Sequence, residues 1–396
     1  MPGYEFFGPE ERKEVNDVLE TGIFMRYGFD GPRKGIWKAK ELEQAISEKL
    51  NVGYTQIVSS GTAALTVAMQ ALGIGAGDEV IMPTFTFVAS FECIFSVGAT
   101  PVLVDVDDTL TLDPKAVEAA ITPRTKAVMP VHMCGSMADL DALKAICDKH
   151  NLILLEDACQ SFGATYKGKA VGTIGHAGAF SFDFVKTITC AEGGAIVTND
   201  KDIYVKADGY SDHGHDHLGV DRGADLHPFI GYNFRISELH AAVGLAQVRK
   251  LDTFLSIQRK TKKIFKDALS ALPQVSFRRL PDEAGDSATF LAFFLPEESQ
   301  ARAAAAAMKA AGLPAFYWFD NNWHYIRNWE HFKQSTVLSR FAPGLQQAME
   351  LYKVKQFPAS DAIMSRCICT PINLGWSDAE VAERAEKLVN AVKSAL

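Results

Sequence analysis

A chain of 396 residues with 47% hydrophobic and 22% charged residues can build two domains with substantial cores, which argues against intrinsic disorder. Its 40 Lys and Arg against 48 Asp and Glu leave a formal charge of −8, and no long basic block reverses that average, so phosphate neutralisation on nucleic acid is disfavoured. The opening Met1-Pro2-Gly3-Tyr4-Glu5 has no basic segment ahead of an apolar signal core, and no run of about 18 apolar residues spans a bilayer. A cytoplasmic protein that meets small molecules or other proteins is expected.

Leu42, Ala45, Ile46 and Leu50 recur at helical spacing and predict an amphipathic helix. A strand at Gln56-Ile57-Val58, a turn at Ser59-Ser60-Gly61 and a second helix over 65–72 follow. Short apolar runs at 79–82, 101–104, 127–131 and 153–155 then alternate with helical stretches such as the one carrying Leu140, Leu143 and Ile146. Two more strands fit 179–182 and 194–197. Such alternation predicts an α/β fold, a mostly parallel sheet covered on both faces. From about residue 256 the pattern changes to α+β: a helix, a strand over 288–294, an alanine-rich helix over 303–311 and a last helix over 379–392. The expected division is a large domain over 1–255 and a small one over 256–396. No internal repeat of about 20 to 50 residues suggests a solenoid.

Seven scattered cysteines make a disulfide framework unlike this chain. Cys134, Cys147, Cys159 and Cys190 lack C-x-x-C spacing, and Cys367 with Cys369 is too close a pair for an ordinary zinc site. No metal is expected, and the thiols read as small core residues.

The chemistry concentrates around Lys186. It follows Ser181-Phe182-Asp183-Phe184-Val185 and precedes the small run Glu192-Gly193-Gly194-Ala195, while Asp157 closes the strand-like Leu152-Ile153-Leu154-Leu155-Glu156. An amine and a carboxylate so placed suit pyridoxal phosphate, which needs a lysine to bond covalently and an acid to keep its ring nitrogen protonated. The bland alternative, a solvated surface lysine, fits poorly beside an apolar run and a Gly-Gly turn. An unpaired Asp157 at the end of a buried strand would be costly, and a cofactor cation would supply its partner. Ser60-Gly61-Thr62-Ala63, between strand and helix, suits a phosphate at the helix start. Taken alone, that turn is equally an ordinary glycine-containing connection.

These segments occur in order with Pro83-Thr84-Phe85-Thr86-Phe87, Gly98-Ala99-Thr100-Pro101, Glu156-Asp157-Ala158-Cys159-Gln160 and Gly231-Tyr232-Asn233-Phe234-Arg235 with Glu238. Together they resemble, over nearly the whole chain, the fold-type I aminotransferases of the DegT/DnrJ/EryC1/StrS family, which act on sugars. The resemblance implies that Lys186 bonds the cofactor, Asp157 pairs with the ring nitrogen and Gln160 meets the ring hydroxyl. It implies further that Thr62, Ala63 and Ser181 bind the phosphate and that Phe87 stacks on the ring. Asn233 would reach the phosphate of a neighbouring subunit in an obligate homodimer with shared active sites. Phe87 and Gln160 read equally as core residues. Related sugar dehydratases are implied to carry histidine at the lysine position, and a non-catalytic regulator on this fold would be expected to lose Lys186 or Asp157.

The loop Ser211-Asp212-His213-Gly214-His215-Asp216-His217, with Asp221-Arg222-Gly223 after it, allows substrate recognition, a solvated loop or metal binding. This loop, Phe29-Asp30, Trp37-Lys38, His132-Met133-Cys134-Gly135-Ser136 and the late Tyr317-Trp318-Phe319-Asp320-Asn321-Asn322-Trp323-His324 carry a narrower likeness. It is to the branch of the family that uses glutamate to aminate the C8 aldehyde of 3,8-dideoxy-8-oxo-manno-octulosonate, a sugar acid of lipopolysaccharide. Arg26, His215, His217 and Arg222 are the expected cationic partners of such an acid. A nucleotide-linked keto sugar is the alternative acceptor.

Overall fold

The computed structural model describes residues 3–219, 223–334 and 343–396. Apolar runs become strands in chain order: β1 (Tyr54–Val58), β2 (Glu79–Pro83), β3 (Thr100–Val104), β4 (Thr125–Val128) and β5 (Ile153–Asp157). A short hairpin, β6 (Thr165–Tyr166) with β7 (Lys169–Ala170), precedes β8 (Ala177–Ser181) and β9 (Gly194–Thr198). Seven of these form one sheet in the order β1-β9-β8-β5-β4-β2-β3. Only β9 runs against the rest, pairing antiparallel with both β8 and β1. The connection over 182–193 contains no helix, so the chain turns back instead of making the crossover that a parallel return requires.

Every residue of β2, β8 and β9 is buried, as expected for a sheet covered on both faces. Alternate side chains enter two different cores. Met82, Leu155 and Ile196 pack with the helices Gly61–Ala71 and Val88–Ser96. Ile81, Leu154 and Val197 pack with Lys38–Leu50, Leu140–His150 and Glu238–Arg249.

A second, antiparallel sheet joins β10 (Ser276–Phe277), β11 (Phe290–Phe294) and β12 (Cys367–Pro371), with its own core around Leu291, Phe293, Met308, Ile368 and Leu388. The helix Leu251–Leu269 runs through residues 255 and 256. Its first turns, at Leu251, Phe254 and Leu255, belong to the large core, while Phe265 and Leu269 belong to the small one. After the helix Glu298–Ala310 the chain returns to the large core through Trp318, Tyr325, Trp329 and Phe332, which carries the late aromatic segment back to the sheet. All seven cysteines are free thiols. Among the described residues no helix is long and apolar enough to cross a membrane, and no group of three His, Cys, Asp or Glu side chains is set to hold a metal ion.

Candidate active site

The C-terminal ends of β5 and β8 open onto a cavity of about 270 Å³, where a parallel sheet ordinarily presents its ligand site. One wall is the start of the helix Gly61–Ala71. Ser60 caps it by accepting from the Ala63 amide at 3.0 Å, which leaves the Gly61 and Thr62 amides without a partner among the described residues. Close approach dictates the glycines. A Cβ on Gly61 would lie 2.6 Å from the Ser181 Cβ, and one on Gly194 would lie 2.3 Å from the Ser60 carbonyl oxygen. Ser181, at the end of β8, lines the same wall.

Lys186 also lines the cavity. The Asp183 carbonyl accepts from its amide at 3.0 Å, the Asp183 carboxylate accepts from the Val185 amide at 3.0 Å, and the Gly3 amide donates to the Lys186 carbonyl at 3.1 Å. These bonds fix the backbone while the side-chain amine has no ion-pair or hydrogen-bond partner among the described residues. Opposite it, Asp157 is buried with both oxygens engaged: Oδ2 accepts from the Ser90 hydroxyl at 2.6 Å and Oδ1 from the Cys159 amide at 3.1 Å. Beside it, Glu156 accepts from the Gly172, Ile174 and Gly175 amides and contacts His132, which locks the strand end. Gln160 Oε1 accepts from the Cys134 amide at 3.1 Å, so its NH₂ remains as a donor.

Phe87 and His324 complete the rim, with ring centroids 5.3 Å apart. Thr86 and Val88 donate to the carbonyls of His324 and Trp323, so the late segment is stitched to the Phe87 turn. Burial, aided by the Lys186 charge, pushes the His324 imidazole down to about 3, and its Nδ1 is bonded to Asn321 Oδ1 at 2.9 Å. His324 is therefore neutral at working pH. Burial, with the Asp157 charge adding to it, holds the Cys159 thiol well above its ordinary range, so it is not a nucleophile.

Among the expected residues, Thr62, Phe87, Asp157, Gln160, Ser181 and Lys186 line this one cavity, and Ala63 follows Thr62 on the helix. Asn233 does not: it is exposed, on a strand-like stretch bridged to Asp212. Two of the residues expected at the substrate have carboxylate partners within the chain. Arg26 is buried with Nη2 on both oxygens of Glu43, at 2.6 and 2.7 Å, while its Nε and Nη1 have no hydrogen-bond partner among the described residues, and it lines no part of the cavity. His217 lies between Asp208 at 2.7 Å and Asp212 at 3.0 Å and stacks on Tyr27, so both ring nitrogens are committed. His215 faces Asp225 at 3.3 Å and lines no part of the cavity. Arg222 lies outside the described residues. Ser90 and Glu192 were not singled out from sequence, and His324 was read only as part of the aromatic segment. The signal for Ser90 was its place one helical turn after Thr86.

The model of the DegT/DnrJ/EryC1/StrS aminotransferase family matches residues 7–389, nearly the whole chain. The chain belongs to this aminotransferase family. Among solved structures, this aminotransferase is similar to the aminotransferase from Psychrobacter cryohalolentis, with 27% identity, 98% of each chain covered and a TM-score of 0.85. It is similar also to 3-amino-5-hydroxybenzoic acid synthase, with 31% identity, 98% of this chain and 97% of that one covered, and a TM-score of 0.82. A Streptococcus pneumoniae structure in its PLP form, 24% identical over 98% of this chain and 97% of that one, shares the fold at a TM-score of 0.80. The α/β fold with its mostly parallel seven-stranded sheet matches the fold-type I aminotransferases.

Proposed function

We propose that this aminotransferase uses pyridoxal 5′-phosphate to move the amino group of glutamate to the C8 aldehyde of 3,8-dideoxy-8-oxo-manno-octulosonate, in the cytoplasm, as a step towards lipopolysaccharide. The observation that carries the cofactor reading is an unpartnered lysine amine and a buried carboxylate in one cavity, beside a helix start with two unclaimed amides. This donor set fits a phosphorylated pyridine aldehyde: amides and the Ser181 hydroxyl for the phosphate, an amine for the aldehyde, an acid for the ring nitrogen. When bound, the cofactor supplies an electron sink.

Each residue then has a task. Lys186 would hold the cofactor covalently, and its free amine would be the base that moves the proton of the amino-acid carbon. Asp157 keeps the ring nitrogen protonated, and the Gln160 NH₂ meets the ring hydroxyl. Thr62, Ala63 and Ser181 bind phosphate, Phe87 covers the ring, and Asn233 of a second copy closes the phosphate site. His324, whose burial keeps its proton affinity low, is a poor competitor of Lys186 for the proton. The acceptor reading rests on the likeness carried by the histidine loop and the late aromatic segment. Of the four cationic residues expected at the sugar acid, His215 and Arg222 are the ones placed here on the sugar carboxylate.

The test is a visible spectrum of the purified protein followed by glutamate and then by acceptors. Glutamate should bleach the band of the lysine-linked cofactor, and the octulosonate aldehyde should restore it. A band indifferent to glutamate sinks the aminotransferase mechanism. Efficient turnover of nucleotide-linked keto sugars with the octulosonate untouched sinks only the acceptor.

A further inference from the structure

Asp157 carries no ion pair among the described residues, although it is only 2% exposed. Neutral donors alone hold it before any cofactor cation arrives: the Cys159 amide on Oδ1 and the Ser90 hydroxyl on Oδ2. A hydroxyl has one proton, and at 2.6 Å from a carboxylate oxygen the Ser90 proton is spent there. Ser90 Oγ lies 2.6 Å from Thr86 Oγ1, so in this pair Thr86 is the donor. Its other acceptor, the Phe87 carbonyl, is 3.3 Å away and loses the competition. The result is a one-way chain, Thr86 hydroxyl to Ser90 hydroxyl to Asp157, with Thr86 and Ser90 also buried. Each donor polarises the next, and together they fix which way the carboxylate faces.

We infer that Ser90 is a positioning residue of this aminotransferase, whose hydroxyl, oriented by Thr86, aims the Asp157 carboxylate at the ring nitrogen. Its place in the chain adds a second effect. Phe87 caps the helix Val88–Ser96, and Ser90 lies in that helix's first turn, so one turn carries both the ring cover and the donor that aims the acid. The carbonyls of His324 and Trp323 pin this turn through the Thr86 and Val88 amides. Ring face and ring nitrogen are thereby referred to a single rigid element.

The inference rests on the cofactor role of Asp157 given above, and the experiment separates the two. Enzyme loaded with ¹⁵N-labelled cofactor is compared by NMR at one fixed pH as wild type, Ser90→Ala, Ser90→Thr, Thr86→Val and Asp157→Asn, with melting temperatures and single-turnover rates with glutamate. Ser90→Ala should move the ring-nitrogen resonance towards the unprotonated position and slow the glutamate half-reaction about tenfold without changing glutamate affinity. Thr86→Val, isosteric and lacking only the upstream donor, should shift the resonance the same way by less, and Ser90→Thr should return it towards wild type. A resonance and half-reaction rate unchanged in both Ser90→Ala and Thr86→Val, while Asp157→Asn shifts the resonance, overturns the inference alone. No shift in Asp157→Asn overturns the role of Asp157 itself. A variant that melts early yet keeps the wild-type resonance shows hydroxyls that only pack, and also overturns the inference.

Discussion

His217 illustrates how a residue that reads as a ligand becomes a strut. Both of its ring nitrogens meet carboxylates, so the ring must carry two protons and a positive charge. Burial alone would lower its affinity for that proton. The hydrogen bonds and charges of Asp208 and Asp212 outweigh burial and raise it to about 9. Asp212 also pairs with Arg235 and bridges Asn233, so the ion cluster holds the stretch on which Asn233 sits. A histidine whose folded pKa exceeds its unfolded value stabilises fully below about pH 6.5, and that stabilisation fades as pH rises through about 9. His217→Gln should therefore cost about 1–2 kcal/mol at pH 6, with the deficit shrinking towards pH 9.5, as read by urea unfolding at several pH values. A deficit independent of pH would remove the charged role. In sequence the alternating histidines were visible. Asp212 stood in the same loop, but the second partner was not visible, because Asp208 sits on the helix Lys201–Ser211 and meets the loop only after the chain doubles back.

The strand-to-helix turn at Ser60-Gly61-Thr62-Ala63 was legible because its demands are local: a cap, a small residue and unclaimed amides follow from the order of residues along a few bonds. The reason for glycine at position 61 is not local. It is the Ser181 side chain from β8, where an added Cβ would sit 2.6 Å from another carbon and force helix and strand apart. Gly61→Ala should weaken cofactor binding by apo-enzyme about tenfold or more while leaving the helical circular dichroism in place, as measured by equilibrium dialysis with pyridoxal phosphate. Unchanged affinity would show that this helix start does not hold the phosphate. The direction of β9 illustrates the opposite case. A strand buried on both faces reads the same in either direction, so its apolar run announced a strand without saying which way it runs.

At the scale of the molecule, Ile230 is 84% and Tyr232 57% exposed just before the exposed Asn233, and Leu226, a few residues earlier, is 71% exposed. An apolar surface around a polar residue that its own cavity does not use is what a partner subunit would cover. Mixing Lys186→Ala subunits, expected to fold but not turn over, with Asn233→Ala subunits should recover activity, since one of the two sites in each hybrid dimer holds both native residues. No recovery in hybrids shown to form by sedimentation would place each site within a single chain. By itself the sequence determined the alternating elements, the two-faced sheet and the residues whose neighbours along the chain define them, Lys186, Asp157 and the Ser60–Ala63 turn, because periodicity and turn chemistry act over a few bonds. The tertiary structure alone decided that Arg26 and His217 are paired with Glu43, Asp208 and Asp212, that the late segment brings His324 to the rim, and that Ser90 meets Asp157. Some of these pairings join residues far apart in the chain, as Ser90 and Asp157 are, and the nearer ones of His217 still need the loop to fold back on itself. Charge and hydrogen bonding commit each side chain to whichever partner folding brings near, and that partner is not written in its flanking sequence.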